Sequence, residues 1–359
     1  MPAQRLQARP LAARRQAADL HASFDLARRF RRAGNHAGHR GIVQRGAHDR
    51  PVGYPQTQVG HGGPGRGQGR AQGRVQPIPR HGVPGQVIRV KSFGDRIEPG
   101  PYRLHSRFAD VVNFAQGGRL ACVVAPCVGR GPLNIVVENL DFSCLKSLRV
   151  DQGGFALDET ALSQEPRYDS CFPSGKTDPR QARANIRAWQ EFLIREAHPK
   201  SLAFLLDGGR RRHFSSGFEK VLVEKTEAAA RDIQRGHLES GARAMRGMGF
   251  GLTPGGDDFL AGYLWGLHAR QRLDGGDAST EIERIYACGQ SQSPLCSSQL
   301  RCAREGRCFE RLRSLLGALL YESESSWEQR ARKVLSLGET SGSDISVGLL
   351  TAALQGESP

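Results

Sequence analysis

An α+β fold, with a β-rich lobe followed by a mostly α-helical lobe, is the architecture this chain predicts. Three observations carry the prediction. Short β-branched runs bounded by Gly/Pro turns fill the stretch from about Val87 to Leu157. Amphipathic segments of helical length follow from Asp178 onward. The two kinds do not alternate as the βα units of a parallel α/β protein would. The expected organisation is therefore a basic extension over 1–88, a β-rich lobe over 89–207 and a helical lobe over 208–359, where the 359 residues suffice for a substantial core.

The extension accounts for most of the chain's basicity. Residues 1–80 hold 15 Arg and 3 Asp but neither Lys nor Glu, which is +12 of the formal +15. The first Lys is Lys91 and the first Glu is Glu98. Apolar residues there are sparse and aperiodic, so this Arg/Gly-rich stretch is expected to be disordered. Three readings compete for it: a nucleic-acid arm, a transit peptide, and the product of an over-extended reading frame in GC-rich coding sequence. Base stacking would have only Phe24, Phe30 and Tyr54 to work with, which disfavours nucleic acid as a partner.

Each element follows from a local signal. Leu104–Phe114 has apolar spacing that serves either a strand or a short helix. Leu120–Val124 and Asn134–Val137 are β-branched runs across the Gly129-Arg130-Gly131-Pro132 turn and read as a hairpin. Ser147–Val150 and Phe155–Leu157 flank Gly153-Gly154 and read as another. Asp178-Pro179 supplies a cap and a first-turn proline for a helix running to Ile194. Ser201–Leu206 reads as a buried strand, and from Phe218 the chain is helical, with Phe218, Leu222, Ala229 and Ile233 on one face and Gly236 as the stop. Further helices are expected at 238–246, 257–272, 279–288, 298–305, 308–320, 326–335 and 343–354.

Several chemistries are disfavoured. The eight cysteines form neither Cys-x-x-Cys nor His-x-x-x-His patterns, so zinc is not expected. No secretory apolar core is present, which predicts reduced thiols and a cytoplasmic location, and the apolar runs are too short to span a membrane. Ser170-x-x-x-x-Gly175-Lys176-Thr177 lacks the leading glycine and preceding strand of a phosphate-binding loop. Asp207–His213 reads as a solvated basic turn.

One segment has the composition of a site. Gly251-Leu252-Thr253-Pro254-Gly255-Gly256-Asp257-Asp258 opens directly into a helix. One Asp suffices to cap a helix, and a second adjacent carboxylate costs repulsion unless something balances it. A metal such as Mg²⁺, a ligand amide or a nearby Arg would do so, which makes Asp257 and Asp258 the candidate catalytic pair. An echo lies 86 residues on: Gly256-x-Asp258-x-x-x-Gly262-x-Leu264 recurs as Gly342-x-Asp344-x-x-x-Gly348-x-Leu350 after Thr340-Ser341. Hydroxyls and helix N–H groups at Thr253, Gly255, Gly256, Thr340, Ser341 and Gly342 suit a small anion, with Asp344 as the second carboxylate. Ser106 and Asn134 are polar points at the edges of apolar segments.

Together, Arg103-Leu104-His105-Ser106-Arg107-Phe108, Gly131-Pro132-Leu133-Asn134-Ile135, Gly249–Gly262 and Thr340-Ser341-Gly342-Ser343-Asp344 resemble, in that order, the bacterial AllH-type proteins, over roughly residues 98–359. The named member of that family is an oxamate carbamoyltransferase subunit. The resemblance implies carbamoyl transfer from carbamoyl phosphate to a small amide or amine, in purine (allantoin) nitrogen catabolism, beside an FdrA-like partner chain. For such a reaction, residue types assign substrate binding to Thr253, Gly255, Gly256, Thr340, Ser341, Gly342, Asp344, Asn134 and Ser106, with Asp257 or Asp258 facing the carbamoyl group or holding Mg²⁺ through water. No cofactor is required by the sequence. The alternative is a non-catalytic ligand-binding or scaffolding subunit whose Gly-Asp loops only shape an interface.

Overall fold

The computed structural model describes residues 87–249, 251–322 and 327–356. The expectation for the basic extension concerns residues that lie almost wholly outside this range. A curled nine-stranded sheet formed by residues 89–168 is followed by a mostly helical region, the α+β order the sequence predicts.

The strands are β1 (Arg89–Gly94), β2 (Gly100–Arg107), β3 (Val111–Gln116), β4 (Arg119–Val124), β5 (Asn134–Glu138), β6 (Ser147–Val150), β7 (Gly154–Leu157), β8 (Thr160–Ser163) and β9 (Arg167–Tyr168). Their order across the sheet is β8-β7-β6-β2-β3-β4-β5-β1-β9. The ambiguous 104–114 segment is thus the turn region of a β2–β3 antiparallel pair, with Leu104 opposite Phe114. The 147–157 hairpin forms as expected.

The 120–137 hairpin does not. Strands β4 and β5 pair in parallel, with Cys122 opposite Asn134 and Val124 opposite Val136. The cause is burial on both faces. Ala121, Val123, Ile135 and Val137 enter the core inside the curl, while Leu120, Cys122, Val124 and Val136 pack on the other side with Leu133 and Cys302. A strand buried on both faces reads as an unbroken apolar run, so its pattern carries no information about direction.

The helices are α1 (Pro179–Glu196), α2 (Gly217–Gln234), α3 (Leu238–Met245), α4 (Gly255–Asp274), α5 (Ser279–Gly289), α6 (Pro294–Arg304), α7 (Glu310–Tyr321), α8 (Trp327–Leu335) and α9 (Ser341–Ala353). Asp178 caps α1, accepting from the Arg180 and Gln181 amides. Gly236, with φ of 85°, follows α2 in the left-handed conformation expected of a helix stop. The buried face of α2 is Val223, Thr226, Ala229, Ala230 and Ile233, so the predicted face is rotated and Phe218 is exposed. The Ser201–Leu206 run is a 3-10 helix over Leu202–Leu205, not a strand. A short apolar run cannot decide between the two, and here the Ser201 hydroxyl accepts from the Ala203 amide while a distant carboxylate binds the Leu202 amide. Within the Asp207–His213 turn, Arg210 is buried and donates to the Ile194, Ala197 and His198 carbonyls at the end of α1.

Helices α4 and α9 form the centre of the helical region and are buried on nearly every side. They cross in backbone contact. A Cβ added to Gly262 would sit 2.0 Å from the Ile345 carbonyl oxygen, and one added to Gly348 would sit 2.0 Å from that of Phe259. Gly262 and Gly348 are equivalent positions of the 86-residue echo, as are Phe259 and Ile345. The crossing is therefore reciprocal about a local two-fold relation. The starts of the two helices match as well: the Gly256 amide donates to the Met248 carbonyl (2.7 Å) and the Gly342 amide to that of Leu337 (3.0 Å).

Candidate functional site at the α4–α9 crossing

Because α4 and α9 begin side by side, the two loops that precede them meet. The Thr253 and Ser341 hydroxyls lie 3.1 Å apart, both half-buried. Beneath them is Asp258, only 1% exposed. Its Oδ1 accepts from Gln299 Nε2 on α6 (3.0 Å), and its Oδ2 is buried without a partner among the described residues. Burial drives the Asp258 carboxyl well above the ordinary carboxylate range, and the negative charge of Asp344 adds to the rise. Ser341, Gln299 and Thr253 oppose it. Burial thus favours the neutral acid, whose O–H can donate.

Asp344, the equivalent residue on α9, is 2% exposed. It accepts from the Leu202 amide (2.7 Å), so it ties α9 to the 3-10 helix. Burial pushes it up to about 7, opposed by the Leu202 N–H and the Thr340 side chain. Gly255 packs over it, since a Cβ there would lie 2.8 Å from Asp344 Oδ2.

Asp257 faces elsewhere. Successive helical positions point about 100° apart, and Asp257 Oδ1 accepts from the Gly247 amide (2.8 Å). Its Oδ2 is buried and unpartnered among the described residues. Burial raises its carboxyl too, with the Gly247 amide, the Cys296 thiol and Arg246 opposing. The Cys296 thiol is driven up by burial and by Asp257 beside it. The two adjacent carboxyls therefore have separate surroundings. No group of three or more His, Cys, Asp or Glu placed to hold a metal ion occurs among the described residues.

Packing accounts for much of the repeated motif. Gly256 and Gly342 donate their amides to backbone carbonyls, and a Cβ on either would strike the Met245 or Val334 carbonyl oxygen at 2.0 Å. The Thr340 carbonyl accepts from the Asp344 amide (2.9 Å), holding the start of α9. Packing leaves two things unexplained: the unpartnered buried oxygens of Asp257 and Asp258, and the hydroxyl pair above Asp258.

The remaining predicted residues gather nearby, at a cleft of about 340 Å³ between the sheet and the helices. Phe108, the Gly131–Asn134 turn, Leu252 and Gln299 all line it. Ser106 reaches it through Asn113, whose Nδ2 donates to Ser106 Oγ (3.0 Å). Asn134 Nδ2 donates to the Gly129 carbonyl (3.0 Å). Gln299 is thus the residue that joins the cleft to Asp258. Nothing in the sequence marks it, because a glutamine on an amphipathic helix has the pattern of a solvated position. Asn113 did leave a trace, as a polar residue within Val111-Val112-Asn113-Phe114 that is 3% exposed.

Compared with known proteins, residues 245–353 match the family described as oxamate carbamoyltransferase subunit AllH. That stretch contains both Gly-Asp helix starts and Gln299, and it leaves the sheet outside. No solved structure matches the chain.

Proposed function

We propose that this chain is a subunit of an oxamate carbamoyltransferase-like complex, transferring a carbamoyl group from carbamoyl phosphate to a small amide or amine acceptor in purine (allantoin) nitrogen catabolism in the cytoplasm. An FdrA-like chain is its partner, and any Mg²⁺ would arrive with the phosphate, since no group of three or more His, Cys, Asp or Glu placed to hold a metal ion occurs among the described residues. One observation carries the reading: Asp258 is buried, unpartnered at Oδ2 and roofed by two hydroxyls from separate loops. Among the described residues no helix is long and apolar enough to cross a membrane.

In the reaction, the acceptor nitrogen attacks the carbamoyl carbon and the carbon–oxygen bond to phosphate breaks. The proton lost by the nitrogen leaves on the phosphate. Negative charge grows on the carbamoyl oxygen as the nitrogen adds, and a neutral acid held in a low-dielectric setting stabilises it by donating a hydrogen bond. Asp258 Oδ2–H takes that role here. The Thr253 and Ser341 hydroxyls donate to the phosphate oxygens. Asp257 keeps the Gly247 end of the loop in place.

A second reading has its own support. The reciprocal contacts account for the repeated glycines by packing alone, which favours a scaffolding subunit. Calorimetric titration of the full chain with carbamoyl phosphate, with and without Mg²⁺, separates the two. The enzymatic reading expects saturable heat that Thr253→Ala and Ser341→Ala weaken. A scaffold gives no heat.

A further inference from the structure

One hydrogen bond fixes the Asp258 carboxyl from outside its own helix and the two loops. Gln299 Nε2 donates to Oδ1 (3.0 Å), and Oδ2 is buried without a partner among the described residues. Gln299 is half-buried on α6, and that helix is clamped between the sheet and the helical core. Leu300 and Ala303 are buried among the helices, whereas Cys302 packs with Leu120, Val124 and Val136 of the sheet. Ser293 caps α6, its Oγ accepting from the Cys296 amide (3.4 Å), and Ser298 Oγ donates to the Gly118 carbonyl (3.5 Å). The Gln299 amide thus comes from a fixed backbone, as a group that orients another side chain requires.

The direction of that bond has a chemical consequence. The last torsion of an Asp side chain is broad, so its own rotamer does not decide which oxygen faces where. A protonated carboxyl has one carbonyl oxygen and one O–H, and the carbonyl oxygen is the better place for an N–H. With Gln299 donating to Oδ1, the form carrying its O–H on Oδ2 is favoured, and Oδ2 is the oxygen left without a partner. We infer that Gln299 is a positioning residue for Asp258: its N–H sets the rotation of the carboxyl and reserves Oδ2 for a ligand beneath Thr253 and Ser341. The inference rests on the reading of Asp258 as a hydrogen-bond donor to the carbamoyl group. Without a donor at position 299 the carboxyl is free to turn and to place its O–H on either oxygen.

The test compares the full chain with Gln299→Leu, which removes the donor, and Gln299→Glu, which keeps the shape but donates to Oδ1 only while the introduced carboxyl is protonated. Near-ultraviolet circular dichroism checks that each variant folds. In calorimetric titration with carbamoyl phosphate, Gln299→Leu should bind about tenfold more weakly than the parent at every pH, the scale of one hydrogen bond. Gln299→Glu should match the parent in mild acid and fall about tenfold as the introduced carboxyl ionises, a rescue that a merely structural role does not produce. Affinities are taken relative to the parent at the same pH, which cancels the titration of the ligand and of Asp344, Asp257 and Cys296 near Asp258. The Asp258 carboxyl ¹³C resonance, read without ligand, should move in Gln299→Leu. That arm decides the role of Gln299 even if the parent binds no carbamoyl phosphate, a result that would defeat the enzymatic reading by itself. Full affinity in folded Gln299→Leu, a constant ratio for Gln299→Glu across pH, or an Asp258 resonance unmoved in Gln299→Leu each overturns the proposal.

Discussion

Gly262 on α4 and Gly348 on α9 each lie against the other helix's backbone, Gly262 over the Ile345 carbonyl and Gly348 over that of Phe259. The two contacts are related by the 86-residue offset visible in the sequence. They bring the loops before both helices to one place, and Asp258 and Asp344 to equivalent depth beneath them. Everything inferred about the site depends on that crossing.

Adding a methyl group at the crossing should therefore destabilise the chain. Gly262→Ala and Gly348→Ala each require the helices to separate, at a cost of about 1–3 kcal/mol from overpacking. Gly276→Ala, where nothing lies within 4 Å of the added atom, is the control and should unfold like the parent. Denaturant unfolding measures both. Equal midpoints for all three variants would contradict the backbone contact.

How far the fold was legible depended on whether elements were buried on one face or on all. Helices α1 and α2 announced themselves through Asp178-Pro179 and Gly236. The β4–β5 direction was hidden because both strands are apolar on both faces. The Leu202–Leu205 turn was hidden because its shape is set by Asp344, more than a hundred residues away. At the site, the two loops were legible from their glycines and carboxylates. Their meeting through Thr253 and Ser341 was suggested by the repeat, whereas Gln299 depends on a helix packing that no local pattern encodes.

Asp258→Asn replaces the carboxyl by a neutral amide of the same shape, and the amide oxygen can still accept from Gln299. The variant should fold with near-parent stability, as judged by thermal unfolding and near-ultraviolet circular dichroism. Its NH₂ still donates where Oδ2–H would, so affinity for carbamoyl phosphate should be kept, whereas Asp258→Ala, which has no donor there, should lose at least about tenfold, since a hydrogen bond to a charged ligand contributes about 1.5–3 kcal/mol. Full affinity in a folded Asp258→Ala variant would remove Asp258 from the site.

Asp344 sets a pH dependence of stability. In the folded chain burial raises its pKa to about 7, whereas an unfolded Asp titrates near about 4. Between those values the folded state holds a proton that the unfolded state has lost. The contribution is thus fully present below roughly pH 4 and is lost as pH rises through about 7. Asp344→Asn, which keeps an acceptor for the Leu202 amide, should flatten this slope in denaturant unfolding measured at a series of pH values. An unchanged slope would place the titration elsewhere.

Thr253 and Ser341 should act as a pair. Each substitution by Ala breaks the same 3.1 Å contact between the loops, so the double variant should cost less stability than the sum of the singles. The expected coupling is about 1 kcal/mol. Strict additivity in a double-mutant cycle would show that the loops are joined by the helices alone.

The central claim is that Asp258 is a neutral carboxylic acid held beneath the two loops for a ligand. The most direct measurement is the carboxyl ¹³C resonance of Asp258, assigned by its loss in Asp258→Asn and followed through a pH titration with and without carbamoyl phosphate. The account predicts a signal at the protonated position at neutral pH that shifts when carbamoyl phosphate is added. A resonance that titrates as an ordinary exposed carboxylate and ignores the ligand would contradict it.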